Sequence, residues 1–222
     1  MPESPSTVNF PPPDAKSAGE RWHFGAVILA AGASSRMGEP KQLLLLEGQP
    51  LVVRAAEIAL QASAWPVVVV LGAHAEKIRP ALARLPVLIA ENSAWPEGMA
   101  SSIRVGITTL QQFSRTLDAA LLALCDQPAF SADVVAQLLA RQRATGRSIV
   151  ASHYAGRHGA PALLLREHFP TLTALTGDAG ARDLLNDAGS GRVAAVDLPE
   201  LARDLDTPAD YAAAASAPPA PR

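Results

Sequence analysis

Cysteine is almost missing from the 222-residue chain, where Cys125 stands alone. One thiol excludes an internal disulfide framework and any structural zinc site built on several thiolates, and it fits a reducing compartment. A surplus of charge of either sign is missing as well. Lys and Arg number 19 against 21 Asp and Glu, for a formal net charge of −2. Gripping nucleic acid through an overall basic field is therefore excluded, and any polyanion must be held by a few local cations. No apolar run approaches the ~20 residues that cross a bilayer, so no membrane span is expected. The opening stretch MPESPSTVNFPPPDAKSAGE has neither a basic n-region nor an apolar h-region. A secretory signal is not expected, and cytoplasmic placement is the default. His23, His74, His153 and His168 fall at no metal-binding spacing.

What is present is an ordinary globular balance, 49% hydrophobic and 18% charged, enough for a sizeable core. Residues 1–21, with Pro11, Pro12 and Pro13 in a row, carry little apolar surface and read as a disordered or polyproline-like tail, and residues 212–222 as a second. Between them, residues 22–211 read as one domain, without an internal repeat or long linker. Apolar runs at residues 24–30, 66–71, 87–90, 119–124 and 148–152 predict strands. Helical spacing predicts helices over 51–62, 74–85, 100–113 and 132–145, with a less regular portion reaching Asp206. Strands that lack polar alternation and are separated by helices belong to the α/β class: a doubly wound, mainly parallel sheet with helices on both faces. Ligands in that class bind at the carboxyl ends of the strands, which directs attention to the loops after Ala30, Leu71, Ala90 and Leu124.

The loop after the first strand, Leu29-Ala30-Ala31-Gly32-Ala33-Ser34-Ser35-Arg36-Met37-Gly38-Glu39-Pro40-Lys41, is the most informative stretch. Its small residues open the backbone to close approach, and successive N–H groups in such a turn form an anion nest. Arg36 and Lys41 add a donor fork and a point charge suited to phosphate oxygens. Five residues separate Gly32 from Gly38, so the loop is not a P-loop, and it lacks the Gly-x-Gly-x-x-Gly of dinucleotide redox enzymes. Asp126 directly follows the buried run AALLALC. A carboxylate there is costly unless it meets a cation, and Mg2+ takes one or two carboxylates together with substrate phosphates. A plain turn aspartate before Pro128 is the alternative. Thr207, Pro208 and Asp210 fit a helix start as N-cap, N1 and N3, a role that does not require Asp206. Gly98 permits close approach, and Ser101 and Ser102 open a helix, where they either meet a base or ribose or simply cap it.

These residues resemble a known family, the nucleotidyltransferases of molybdenum cofactor maturation. The superfamily around them carries Leu-x-x-Gly-x-x-x-Arg-Met-Gly-x-x-Lys after its first strand, and every position is filled here. The resemblance implies a Rossmann-like nucleotidyltransferase that moves CMP from CTP to the terminal phosphate of molybdopterin, releasing pyrophosphate. It implies Arg36, Lys41 and Asp126 as catalytic, and Mg2+ held by Asp126 and Asp206. Nucleotide contacts would come from Leu29, Ala30, Ala31, Gly32, Ser34, Arg36, Lys41, Gly98, Ser101 and Ser102. Ala31, where guanylyl members more often carry Gly, tilts the choice toward CTP. His158, Asp178 and Arg182 are candidates for the acceptor side, though each also fits a structural role, Asp178 at the start of a helix over 179–186. A molybdenum hydroxylase is a candidate recipient of the product. The rivals are the same transfer with GTP or a sugar-phosphate acceptor, and a noncatalytic cofactor carrier.

Overall fold

The computed structural model describes residues 22–216 apart from 179, 188 and 190. The N-terminal tail expectation and most of the C-terminal one lie outside the described residues. Seven strands form one sheet: β1 (Phe24–Ala30), β4 (Val67–Leu71), β5 (Leu88–Glu91), β6 (Ala119–Leu124), β7 (Ile149–Tyr154), β8 (Arg157–Leu165) and β9 (Val193–Asp197). Their order is β5-β4-β1-β6-β8-β7-β9, and every pairing is parallel except those of β8 with β6 and β7. A small antiparallel pair, β2 (Leu45–Leu46) and β3 (Gln49–Pro50), lies apart from it.

Successive side chains of a strand point to opposite faces, and here both faces are buried. Val67, Val69 and Leu71 of β4 enter one core with Ala26 and Ile28 of β1 and Leu121 of β6. Val68 and Val70 enter the other with Val27, Ala120 and Leu122. The helices α1 (Leu51–Gln61) and α4 (Ala132–Thr145) cover the first face, and α3 (Met99–Phe113) covers the second. In α1 the buried Val52, Ala55, Ala56 and Ala59 recur at helical spacing. Ser131 accepts a hydrogen bond from the Val134 N–H and starts α4, and Gly146 ends it in the left-handed region. Gly106 brings α3 hard onto β1, since a methyl there would lie 2.3 Å from Val27.

Four expectations change. The helix expected over 74–85 is a single turn, α2 (Ala75–Ile78), continued as a 3-10 segment over Arg79–Leu82, because Pro80 supplies no N–H to carry the α ladder. The portion expected to be less regular contains β8 and β9. Strand β8 pairs on both sides despite Pro161, because the register between β7 and β8 shifts between Ala151 and Ser152, and the Ser152 hydroxyl donates to the Pro161 carbonyl at 2.7 Å. Beyond these come α5 (Phe169–Thr173), α6 (Arg182–Leu185) and α7 (Pro208–Ala215). Helix α6 is shorter than the one expected over 179–186. Helix α7 runs four residues into the segment expected to be a tail, started by a reciprocal Thr207–Asp210 capping box.

Candidate active site

All six parallel strands end at one edge of the sheet, and the chain returns to that edge three times with charged residues. Residues 31–41 leave β1, turn at Ser34 with a Met37 N–H to Ser34 carbonyl bond of 2.9 Å, and enter a 3-10 turn at Lys41–Leu43. Gly32 lies under open space, since a methyl built on it would touch nothing within 4 Å. The Gln42 side chain, 1% exposed, lies beneath the loop. It donates to the Ala30 and Gly32 carbonyls at 3.0 and 2.8 Å and accepts from the Ser34 hydroxyl. The Ser34 oxygen in turn accepts from the Lys41 N–H at 3.1 Å.

Lys41 is the hub of the charged cluster. Its Nζ bonds Asp126 Oδ2 and, at 2.9 Å, Asp206 Oδ1. Arg36 Nη2 reaches the other Asp206 oxygen at 2.8 Å. The fold thus brings together, across up to 170 residues, the two cations of the first loop and the two aspartates singled out in the sequence. Backbone pairing holds the second return in place, with the Leu205 N–H donating to the Asp126 carbonyl at 3.0 Å. Burial works against the Lys41 ammonium, but the facing Asp126 and Asp206 outweigh it and hold its pKa above the ordinary lysine value. The Lys41 hydrogen bond, reinforced by Arg36, keeps the Asp206 carboxyl below its usual range. Burial, together with neighbouring Asp126, raises the Cys125 thiol, which leaves it a packed, unreactive side chain.

Asp204 belongs to this cluster and was not singled out in the sequence. Burial, then the charges of Asp126 and Asp206, push its carboxyl up to about 6. Oδ1 of Asp204 and Oδ1 of Asp126 are both buried without a hydrogen-bond partner. The signal was available, because Asp204-Leu205-Asp206 alternates about a buried leucine, and an extended segment with that pattern turns both acids to one side.

The loop between β5 and α3 arrives at the same edge. Gly98 has φ +101°, a left-handed conformation that suits glycine. Asp178 packs directly on it, and a methyl at Gly98 would fall 1.9 Å from Asp178 Oδ1. Ser101 and Ser102 are buried, and the Asn92 side-chain amide donates to both hydroxyls at 2.7 and 2.9 Å. The hydroxyls expected to meet a base or ribose are therefore engaged with Asn92, because the first turn of α3 faces inward. His158 is joined to α6, which starts at Arg182: its Nδ1 lies 2.9 Å from the Leu185 carbonyl, and its backbone exchanges two bonds with the Asn186 side chain. His158 thus packs against α6, and Asp178 against the Gly98 turn.

A mainly parallel sheet with a cation-bearing first loop beside converging carboxylates defines the nucleotidyltransferase class. The chain belongs to the family described as the MobA-like NTP transferase domain, which matches residues 26–196. Among similar proteins, nicotine blue oxidoreductase of Paenarthrobacter nicotinovorans is 37% identical over 169 residues, 72% of this chain and 79% of that one. Purine catabolism protein PucB of Bacillus subtilis is 29% identical over 83% of this chain and 92% of its own length. A probable molybdenum cofactor guanylyltransferase of Synechococcus elongatus matches over only 37 residues, 17% of this chain and 19% of that one, at 54% identity. Among solved structures, Rv0371c of Mycobacterium tuberculosis H37Rv superimposes with a TM-score of 0.71 and 30% identity, over 89% of this chain and all of that one. The same protein was solved in complex with manganese, where the TM-score is 0.67, the identity 28%, and the coverage again 89% and 100%.

Proposed function

We propose that this nucleotidyltransferase moves CMP from CTP to the terminal phosphate of molybdopterin, with or without bound molybdenum, and releases pyrophosphate in the cytoplasm. The observation that carries the reading is the meeting of Lys41, Arg36, Asp126 and Asp206 at the carboxyl edge of the sheet. The acceptor phosphate is already an anionic nucleophile, so the reaction needs no general base. Its oxygen attacks the α-phosphorus in line, the bond from that phosphorus to the bridging oxygen breaks, and pyrophosphate leaves with the electron pair. The chain's task is alignment and neutralisation of charge. Lys41 and the amides around residues 31–34 would hold the triphosphate, Arg36 would receive the departing pyrophosphate, and the Gly98 turn would take the base and ribose.

The acidic residues fit a divalent cation. Asp126 offers a buried oxygen without a partner, the donors are hard carboxylate oxygens, and burial, then the charges of Asp126 and Asp206, disfavour the ionised Asp204. Among the described residues no cluster of three His, Cys, Asp or Glu is arranged to hold a metal. Asp126 and Asp206 would therefore be the protein's contribution, with phosphate and water completing the shell in the way Mg2+ favours. A cation held there would supply electrostatic polarisation of the reacting phosphate. The manganese complex of Rv0371c supports a divalent requirement in this family.

Ala31 favours CTP through the family resemblance, while the short match to a guanylyltransferase supports a second reading, the same transfer with GTP. His158, Asp178 and Arg182 remain the proposed acceptor contacts, and a molybdenum hydroxylase the proposed recipient. Incubation with each of the four NTPs, Mg2+ and molybdopterin, followed by pyrophosphate detection and chromatography, tests the assignment. CTP-dependent pyrophosphate and a cytosine dinucleotide are expected. A guanine dinucleotide would replace CTP by GTP. No pyrophosphate from any of the four NTPs would overturn the reading.

A further inference from the structure

A loop that binds phosphate through its backbone must turn its carbonyl oxygens away from the anion, because each carbonyl left facing it repels. In a trans peptide the carbonyl of one residue and the N–H of the next point in opposite directions. Fixing a carbonyl on one side of the loop therefore fixes an N–H on the other. The buried Gln42 amide takes the carbonyls of Ala30 and Gly32, so the N–H groups of Ala31 and Ala33 are directed away from Gln42. Both donors of that amide are used, and its oxygen accepts from Ser34, whose backbone sits at φ 55°. The Ser34 oxygen then accepts the Lys41 N–H, joining the start of the loop to the lysine that ends it. Such a left-handed conformation in a non-glycine residue costs about 1 kcal/mol or more and persists only when its surroundings enforce it.

From this network we infer that Gln42 is a positioning residue for triphosphate binding: it polarises no reacting atom, but sets which way the first-loop amides face and where Lys41 enters the site. The inference rests on the nucleotidyltransferase reading and extends it to a residue that touches no substrate. A glutamine directly after a phosphate-binding lysine would ordinarily be read as a solvated side chain. Here its 1% exposure and three polar contacts with the loop give it another role.

Gln42→Met preserves length and bulk and removes all three side-chain hydrogen bonds that Gln42 makes with the loop. Inorganic tripolyphosphate with Mg2+ serves as the probe in calorimetric titration, so that neither base nor acceptor enters the measurement. The variant is expected to bind about 10-fold or more weakly than wild type, the equivalent of one or two net hydrogen bonds. In turnover, the KM for CTP should rise by a similar factor while kcat at saturation changes less than about threefold. Gln42→Glu provides the second arm. Ionised, it sets a carboxylate against two carbonyls; protonated, it regains one donor. Its binding deficit relative to wild type at the same pH should therefore shrink as pH is lowered from about 8 to about 5.5. Wild-type affinity in Gln42→Met, or a deficit in Gln42→Glu that does not change with pH, overturns the positioning role and leaves the transferase reading standing. Failure of the wild type itself to bind tripolyphosphate overturns both.

Discussion

At Lys41 the chain places one ammonium between two carboxylates, with a third acid, Asp204, close enough to feel both. Asp126 is the residue on which the chemistry depends most, because it is both Lys41's partner and the owner of a buried oxygen without a hydrogen bond. Asp126→Asn keeps the shape and removes the charge. Turnover should fall by about 10²- to 10³-fold, on the scale of losing one preorganised electrostatic contact, with the far-UV CD spectrum unchanged. Near-normal turnover would remove Asp126 from the proposed role. Asp204 makes a separate prediction about stability. Its pKa rises on folding from an ordinary 3.8 to about 6, so the folded state binds that proton more tightly than the unfolded chain. The contribution of Asp204 to stability is therefore most favourable below the unfolded value and declines as pH climbs from 3.8 to about 6, leaving a constant penalty above. In metal-free buffer, Asp204→Asn should raise Tm at pH 7 and above, and the gain should vanish near pH 4. An equal gain at both pH values would mean that packing, and not ionisation, sets the difference.

Among the elements, the turn from β5 into α3 and the segment before α6 are joined by Asp178 on Gly98 and by the Ala100 N–H, which donates to the Gly177 carbonyl at 3.4 Å. Arg104 reinforces these contacts from α3, donating to the Leu175 carbonyl at 2.7 Å and to Glu97 at 2.8 Å. Gly98→Ala puts a methyl into the Asp178 carboxylate and forces an L side chain to φ +101°. The expected cost is about 1–3 kcal/mol, read as a lower Tm, together with a raised KM for the nucleotide. An unchanged Tm would show that the segment is free to move off the turn. Elements of this kind differ in how much of them the sequence discloses. The strands over Phe24–Ala30 and Ala119–Leu124 and the helix over Ala132–Thr145 are legible to the residue, because an unbroken apolar run or a serine cap with a terminal glycine marks them. Strand β8 is not, since RHGAPALLL carries Gly and Pro, and only the shifted register against β7 makes them tolerable. Helix 74–85 misleads because periodicity outlasts the hydrogen-bond ladder that Pro80 interrupts.

For the molecule as a whole, six parallel strands give every functional loop the same edge, and that is why residues from positions 36 to 206 meet. The first loop and Asp126 are readable from small residues, cations and a carboxylate after a buried run. Asp206 came only through resemblance, since its partner lies 165 residues away and no local pattern encodes that distance. Gln42 is illegible because nothing in a sequence separates a buried amide from an exposed one. Isotopic labelling decides which phosphorus is transferred. With molybdopterin and Mg2+, label on the α-phosphate of CTP should appear in the pterin product and label on the γ-phosphate in released pyrophosphate. Label from the γ-phosphate on the pterin, or α-label remaining wholly in CTP, would contradict nucleotidyl transfer at this site.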